Sequence, residues 1–408
     1  MGRCVWSRHA ASCEPRPQHP PTPIGSEFSA DAALTGSTRR EFLLRGVGAV
    51  AGLAATSLVS GCAQTGKGQT EAPLPRRAPA DGRRSLVAAG RGDDLGRMTA
   101  DALAALGGIG KVVRSGESVF IKPNMVTLPF ASASYDPFRA GECAKPDIVV
   151  AVAEACLAAG ASKVTIGDGS QMPTFDWSKA RTMDGRTDLV KEAARLESTY
   201  GKPVSLACLD SATTEWVRIP SRTSLKAVTV SGLVIGADRV ISIPVAKSHK
   251  WAYATLSLKN FVGITPLRPY GWTDAAGSNF ARNGIHAGDP TPDGFGRLHL
   301  DIAKAAQIDL AVIDFSICVE GDGPTLSSGG STVDVKNRLG AWLVLASTDP
   351  VAADATAARL MGEQRYINHV LHVAESEGMG IARDSAIDIA GGTLADLRIP
   401  AWQPATIA

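Results

Sequence analysis

From Leu86 onward the chain alternates short β-branched runs with helical patterns, and that alternation fixes the fold class before any single residue is considered. Strands separated by helices run largely parallel, because each crossover returns the chain to the same end of the sheet. The candidate strands are Leu86–Ala89, Ser118–Lys122, Lys163–Gly167, Pro203–Ala207, Ala227–Val230, Arg239–Ile243, Leu310–Asp314 and Trp342–Ser347. Helical patterns cover Asp94–Leu106, Pro146–Ala159, Leu189–Glu197, Phe295–Gln307, Pro350–Met361 and Ile367–Glu377. Pro146 at one helix start, with Gly160 just past its end, fits the usual asymmetry of helix termini. The expectation is an α/β fold over residues 85–400: a largely parallel or mixed central sheet with helices on both faces, as one large domain or two intimate lobes.

Four of these strands run directly into polar or Gly/Pro residues: Lys122-Pro123-Asn124, Gly167-Asp168-Gly169, Pro244 to His249, and Asp314-Phe315-Ser316. Ligands of open α/β sheets gather beyond the carboxyl ends of the strands, so these residues outline a site. Lys247, His249 and Lys259 fall within 13 residues. Lysine supplies a compact cation for a carboxylate or phosphate, and histidine carries a proton or ligates a metal. The same composition also suits a solvated strand end, and the residues alone do not choose. Gly263 to Gly294 has no clear periodicity and is rich in Gly, Pro, Asn and Asp, which predicts a lid, a binding loop or a disordered insert.

The N-terminal region speaks to destination. Arg39 and Arg40, with Phe42 and Leu43, match a twin-arginine export signal. The uncharged run Gly46–Ser60 is too short and too weakly apolar to span a bilayer, which takes about 20 apolar residues. It reads as the core of a signal peptide, and Leu58 to Cys62 resembles a lipobox whose Cys is lipidated. The expected organisation is a leader and signal over 1–61, a flexible linker over 62–84 and the α/β region after it. The expected location is the cell envelope, with a lipid anchor at Cys62 and the twin-arginine machinery as a partner.

Of 42 basic and 40 acidic side chains, six and four precede Cys62, so the remainder balances at 36 of each. A balanced charge argues against nucleic acid as a partner. Beyond Cys62 the cysteines are Cys143, Cys156, Cys208 and Cys318, with no C-x-x-C, so no iron–sulfur cluster or zinc knuckle is encoded. One or two disulfides are compatible with an oxidising envelope. Cys156 sits in an apolar helical pattern and reads as a plain buried thiol.

Several segments, in order, are similar to the bacterial and archaeal family termed domain of unknown function 362. They are Phe120–Asn124 (FIKPN), the block Lys145 to Asp168 ending in VTIGD, Ile243–His249 (IPVAKSH), Leu256–Asn260 (LSLKN) and Asp349–Asp354 (DPVAAD). The resemblance covers roughly Val87 to Gly362. The family has no settled general reaction, so the resemblance implies a site more readily than a substrate. By position in the motifs it implies Lys122, Asn124, Asp168, Lys247, His249, Lys259 and Asn260 as pocket residues. Asp314, Glu320, Asp349 and Asp354 follow as weaker candidates. Some members carry ferredoxin-like cysteine clusters that this chain lacks.

Asp349-Pro350 reads as a helix cap more readily than a ligand. Glu320 either reaches the pocket from a Gly/Pro turn or decorates that turn in solvent. A metal ion, if bound, is expected at His249, Asp314, His299 and Asp301, assembled from distant segments since no H-E-x-x-H motif is present. Missing G-x-S-x-G, Walker A and G-x-G-x-x-G patterns argue against a hydrolase elbow, nucleotide hydrolysis and ordinary dinucleotide binding. The expected function is an envelope-anchored enzyme acting on a small anionic substrate. His249, Lys247 and Asp168 are its catalytic candidates, and Lys122, Asn124, Lys259, Asn260 and Glu320 its substrate-binding ones. The alternative is a non-catalytic lipoprotein that captures an anion or a metal.

Overall fold

A computed structural model describes residues 84–213, 215–271, 282–286 and 292–406, all within one compact unit. The export signal, Cys62 and the linker lie outside the described residues.

Thirteen strands are described: β1 (Ser85–Gly92), β2 (Ser118–Pro123), β3 (Lys163–Asp168), β4 (Val204–Cys208), β5 (Trp216–Pro220), β6 (Ala227–Ser231), β7 (Arg239–Ile243), β8 (Val245–His249), β9 (Tyr253–Thr255), β10 (Leu310–Gly321), β11 (Gly330–Asp334), β12 (Trp342–Ser347) and β13 (Ile387–Ala390). Eleven form one sheet with the order β13-β1-β12-β10-β7-β2-β3-β4, while β8 and β11 join β10, and β9 joins β8. β5 and β6 form a separate antiparallel pair. From β4 to β10 the main path is parallel, and antiparallel pairing enters at β12. The expected mixed, largely parallel sheet is what the chain forms.

The longer helices are α1 (Leu95–Ala105), α2 (Pro146–Ala158), α3 (Leu189–Tyr200), α4 (Pro292–Ala306) and α5 (Pro350–Leu360). α1, α2 and α3 pack side by side, with α1 on β1 and β12 and α2 on β2 and β3. α5 also packs on β1, β12 and β10. Val87 and Ala88 point to opposite faces of β1 and are both fully buried, so cover lies on both sides of the sheet. β2, from Ser118 to Pro123, is buried along its whole length, as a central parallel strand must be.

Two departures from the sequence expectation matter for the site. Pro244 does not end the strand for good; the chain turns there, and β8 leaves β2 while staying beside β10. The Asp314 amide donates to the Pro244 carbonyl at 2.9 Å, which pins that change of partner. Residues 245–249, read from the sequence as polar residues beyond a strand end, are therefore a buried strand. Likewise β10 continues seven residues beyond Asp314, to Gly321, because β8 and β11 extend its pairing. The pattern Ile367–Glu377 is helical but broken by a π-helical turn at Ile367–Leu371.

β2 sits where the order reverses: β3 and β4 follow on one side, and β7 and β10 on the other. The crevice between the ends of β2 and β7 is thus the topological switch point.

Asp349 caps α5 as expected, its Oδ1 accepting the Val351 and Ala352 amides at 3.0 Å each. Its Oδ2 also accepts the Ser85 hydroxyl at 2.6 Å and the Ile381 amide at 2.9 Å. One carboxylate thereby joins the first strand, a helix start and the C-terminal segment. Asp349→Ala is expected to cost about 2–3 kcal/mol, since it removes a cap and orphans the Ile381 amide. Urea denaturation measures this; a loss under about 0.5 kcal/mol would show that water replaces the carboxylate without cost.

Candidate functional site at the switch point

Asn260 organises the strand ends. Its Nδ2 donates to the Lys122 carbonyl at 2.8 Å and to Ser242 Oγ at 3.2 Å, tying β2 to β7. Its Oδ1 accepts from Lys122 Nζ and from Asn124 Nδ2, each at 3.2 Å. All four polar positions of the carboxamide are used, as a buried amide requires.

Lys122 Nζ forms an ion pair with Asp168 Oδ1 at 2.5 Å and donates to the Pro123 carbonyl at 2.9 Å. Burial pushes the Lys122 amine below the usual lysine range, while Asp168 pulls it back toward the charged form. Asp168 Oδ2 accepts the Met125 amide at 2.7 Å, which fixes the turn after β2. Gly263 lies over this pair. A Cβ there would stand 2.6 Å from Asp168 Oδ1 and 3.0 Å from Lys122 Nζ, so only glycine allows the close approach.

Lys247 Nζ donates to Asn124 Oδ1 at 3.0 Å and to the Glu142 carbonyl at 2.7 Å. Burial lowers its pKa to about 8. Lys259 follows on the 3-10 turn Lys259–Ile264 and is 8% exposed. Among the described residues, no hydrogen bond or ion pair holds its amine. Burial first, and the charge of Lys247 second, push its pKa down to about 7. Asp354 secures the start of that turn, its Oδ1 and Oδ2 accepting the Ser257 and Leu258 amides at 2.7 and 3.0 Å. Tyr366 donates to Asp354 Oδ2 as well, at 3.2 Å, and burial holds the Asp354 pKa up to about 7.

His249 lies two residues beyond Lys247 on β8, hence on the same face of that strand. Its Nδ1 accepts the Trp251 amide at 3.2 Å, which places the proton of the neutral ring on Nε2. The Trp251 ring meets it edge-on at 5.6 Å between centroids.

Lys122, Asn124, Asp168, Lys247 and Asn260 are therefore brought together by direct contacts, with Lys259 adjoining and His249 on the same strand face as Lys247. Other candidates go elsewhere. Asp314 is not at a strand end: its Oδ2 lies 3.4 Å from Lys145 Nζ, and its Oδ1 accepts the Ser316 amide and hydroxyl. Glu320 is taken up by Arg338 in a two-pronged ion pair and by the Gln403 amide, so it holds the C-terminal segment instead of facing ligand. Asp301 accepts the Arg222 amide at 3.0 Å, beside the Glu377 carboxylate that collects Arg222, Arg297 and Lys304. His299 is buried on α4. His249, Asp314, His299 and Asp301 thus do not form the expected metal set. Among the described residues no three His, Cys, Asp or Glu side chains converge as a ligand set. The residues do not fit a metal at that place.

Cys143, Cys156, Cys208 and Cys318 are all free thiols. Burial pushes the Cys156 thiol up to about 12, consistent with an inert packed side chain. Of the long segment 263–294, residues 272–281 and 287–291 lie outside the described residues. The described remainder includes Arg282, which donates to the Ser170 carbonyl at 2.6 Å and pairs with Asp210 at 3.0 Å. Arg282, Glu142, Lys145 and Gly263 were missed as site residues, because each sits in sequence that reads as loop or helix flank. The one available signal was Gly263, which closes the run Leu258-Lys-Asn-Phe-Val-Gly263.

The family described as Domain of unknown function (DUF362) matches residues 119–359, more than half of the chain, and the chain belongs to that family. A thylakoid-associated protein of Synechocystis sp. is 28% identical over 226 residues, 54% of this chain. The chain spans about 59% of the length of that curated relative. Two solved structures are similar at a TM-score of 0.35: the lactate racemase apoprotein of Thermoanaerobacterium thermosaccharolyticum, at 12% identity, and a Thermotoga maritima protein, at 9%. Each match covers 70% of this chain, with 59% and 60% of the respective partner.

Lys247 and Lys259 bind fewer protons when folded than when unfolded, where lysine titrates near about 10.4. The contribution of these two lysines to stability therefore rises with pH between about 7 and about 10, where the unfolded chain holds their extra protons. Lys259→Met is expected to flatten that rise, measured by denaturant titration across the window. An unchanged slope would mean that the amine is hydrated and titrates normally.

Proposed function

We propose that this chain is an enzyme acting on a small anionic substrate at the ends of β2 and β3 and along β8. One observation carries the reading. Among the cations of the site, Lys122 pairs with Asp168 and Arg282 with Asp210, but Lys247 and Lys259 have no carboxylate partner among the described residues. Two buried amines without a counter-charge are costly, and an anionic ligand offsets that cost by restoring their protonated forms.

The division of labour follows from the contacts. Lys247 holds the anionic group, with the amine of Lys259 beside it. Lys122, Asp168 and Asn260 form a fixed wall, which revises the substrate-binding role expected of Lys122 and Asn260 and the catalytic role expected of Asp168. His249 is the proton carrier, with Trp251 holding the ring through Nδ1. A His249→Ala variant that binds ligand but turns none over fits this reading; a variant as active as the parent supports a capture protein instead.

Anion affinity should follow the charge on the two amines. Calorimetric titration with small carboxylates and inorganic phosphate is expected to show binding at about pH 6 that weakens about tenfold or more by about pH 9. Lys247→Met and Lys259→Met should each weaken it further at the lower pH. Affinity that does not change across this range would remove the lysines from the site.

The sequence of Arg39, Arg40 and Cys62 supports delivery of this enzyme to the cell envelope with a lipid anchor. Labelled palmitate is expected to enter the full chain and not its Cys62→Ser variant. Replacing Arg39 and Arg40 by Lys should retain the protein in the cytoplasm. Unchanged fractionation of both variants would refute the anchor and the export route.

A further inference from the structure

The three site lysines are held differently, and the difference reaches beyond anion binding. Lys122 is an ion-paired structural group. Lys247 is a donor locked onto two carbonyl oxygens, those of the Asn124 side chain and the Glu142 backbone. Lys259 has no such contact among the described residues, yet it is almost completely buried.

Its backbone, by contrast, is tightly fixed. Asp354 holds the Ser257 and Leu258 amides on one side, and Asn260 makes four hydrogen bonds on the other. A mobile surface lysine has neither constraint. Among the described residues its amine has no acceptor to secure a charge, most of the side chain is buried, and the charge of Lys247 acts on it. A desolvated amine beside another cation keeps its lone pair and is the usual form of a nucleophilic lysine.

We propose that Lys259 attacks the carbonyl carbon of a small oxo acid to form an imine, while Lys247 holds the carboxylate of the same molecule. The inference rests on the anionic-substrate reading above and names its substrate class. In the step, the Nζ lone pair forms the new C–N bond and the carbonyl π pair moves to oxygen. Both N–H hydrogens leave with that oxygen as water, and a C=N bond remains. No oxidant or second reactant is needed. Fixing the base of the amine in advance removes much of the entropic cost of that attack.

The test is reductive trapping on the full chain. The protein is incubated with glyoxylate, pyruvate or 2-oxoglutarate, reduced with borohydride, digested and read by mass spectrometry. The expected result is a mass gain equal to the oxo acid less one oxygen on the peptide containing Lys259, about tenfold above any other lysine. Excess propionate, which has the carboxylate without the carbonyl, should suppress the label. Lys259→Arg should still bind propionate but trap nothing. Because the label is mapped on the unaltered chain, the result does not depend on that variant folding.

Propionate binding without any trapped product would overturn the imine and leave the anionic-substrate reading standing. Labelling spread evenly over surface lysines, or centred on Lys247, would overturn it too. Failure of both propionate and the oxo acids to bind would overturn both readings.

Discussion

One carboxamide ties together the strand ends at the switch point. Asn260 bonds to the backbone of β2, to a hydroxyl on β7 and to the side chains of Lys122 and Asn124. Remove it and the switch point keeps the backbone pairing of β2 with β7 but loses a side-chain tie across it, the Lys122 amine loses an acceptor, and Asn124 loses the partner that orients it toward Lys247. Buried polar networks of this kind are stable only when complete. Around Asn260 itself that network is complete, whereas the Thr255 and Ser257 hydroxyls just before it have no partner among the described residues.

The balance of charge follows from the same frame. Where a lysine must be structural, the chain gives it a carboxylate: Asp168 for Lys122 and Asp314 for Lys145. Where it gives none, burial wins over ionisation and the amine drifts toward neutrality, as at Lys247 and Lys259. Breaking either ion pair would strand a buried charge, at about 3–5 kcal/mol, so the paired lysines are poorly suited to release and rebind a substrate. The unpaired ones have nothing to release.

Much of this was legible in the sequence, and the boundary of legibility has a physical cause. Regular strands and helices showed because burial on one or both faces leaves a periodic trace; Trp342–Ser347 and Lys163–Asp168 are examples. β8 did not show, because Lys247, Ser248 and His249 are polar residues in a strand buried by its neighbours, and its pairing with β10 is long-range. Lys122, Asp168, Lys247 and Asn260, which the structure brings together, were legible because they sit in short ordered motifs. Glu142, whose carbonyl accepts from Lys247, and the buried cations Lys145 and Arg282 were not, since a buried charge and a solvated one look alike in one sequence. Asp314 and Glu320 failed as site residues for that same reason: an acid near a strand end does not reveal that a lysine or arginine already occupies it.

The clamp between Asp354 and the lysine turn also orders events in time. The acceptor for the Ser257 amide lies 97 residues further along the chain. A ribosome that has only just made Lys259 has not yet made the group that fixes it, and contacts of such long sequence separation form late. The turn that carries Lys259 is thus clamped only once α5 has been synthesised and packed. A chain interrupted before α5 would carry that lysine on a turn without its clamp.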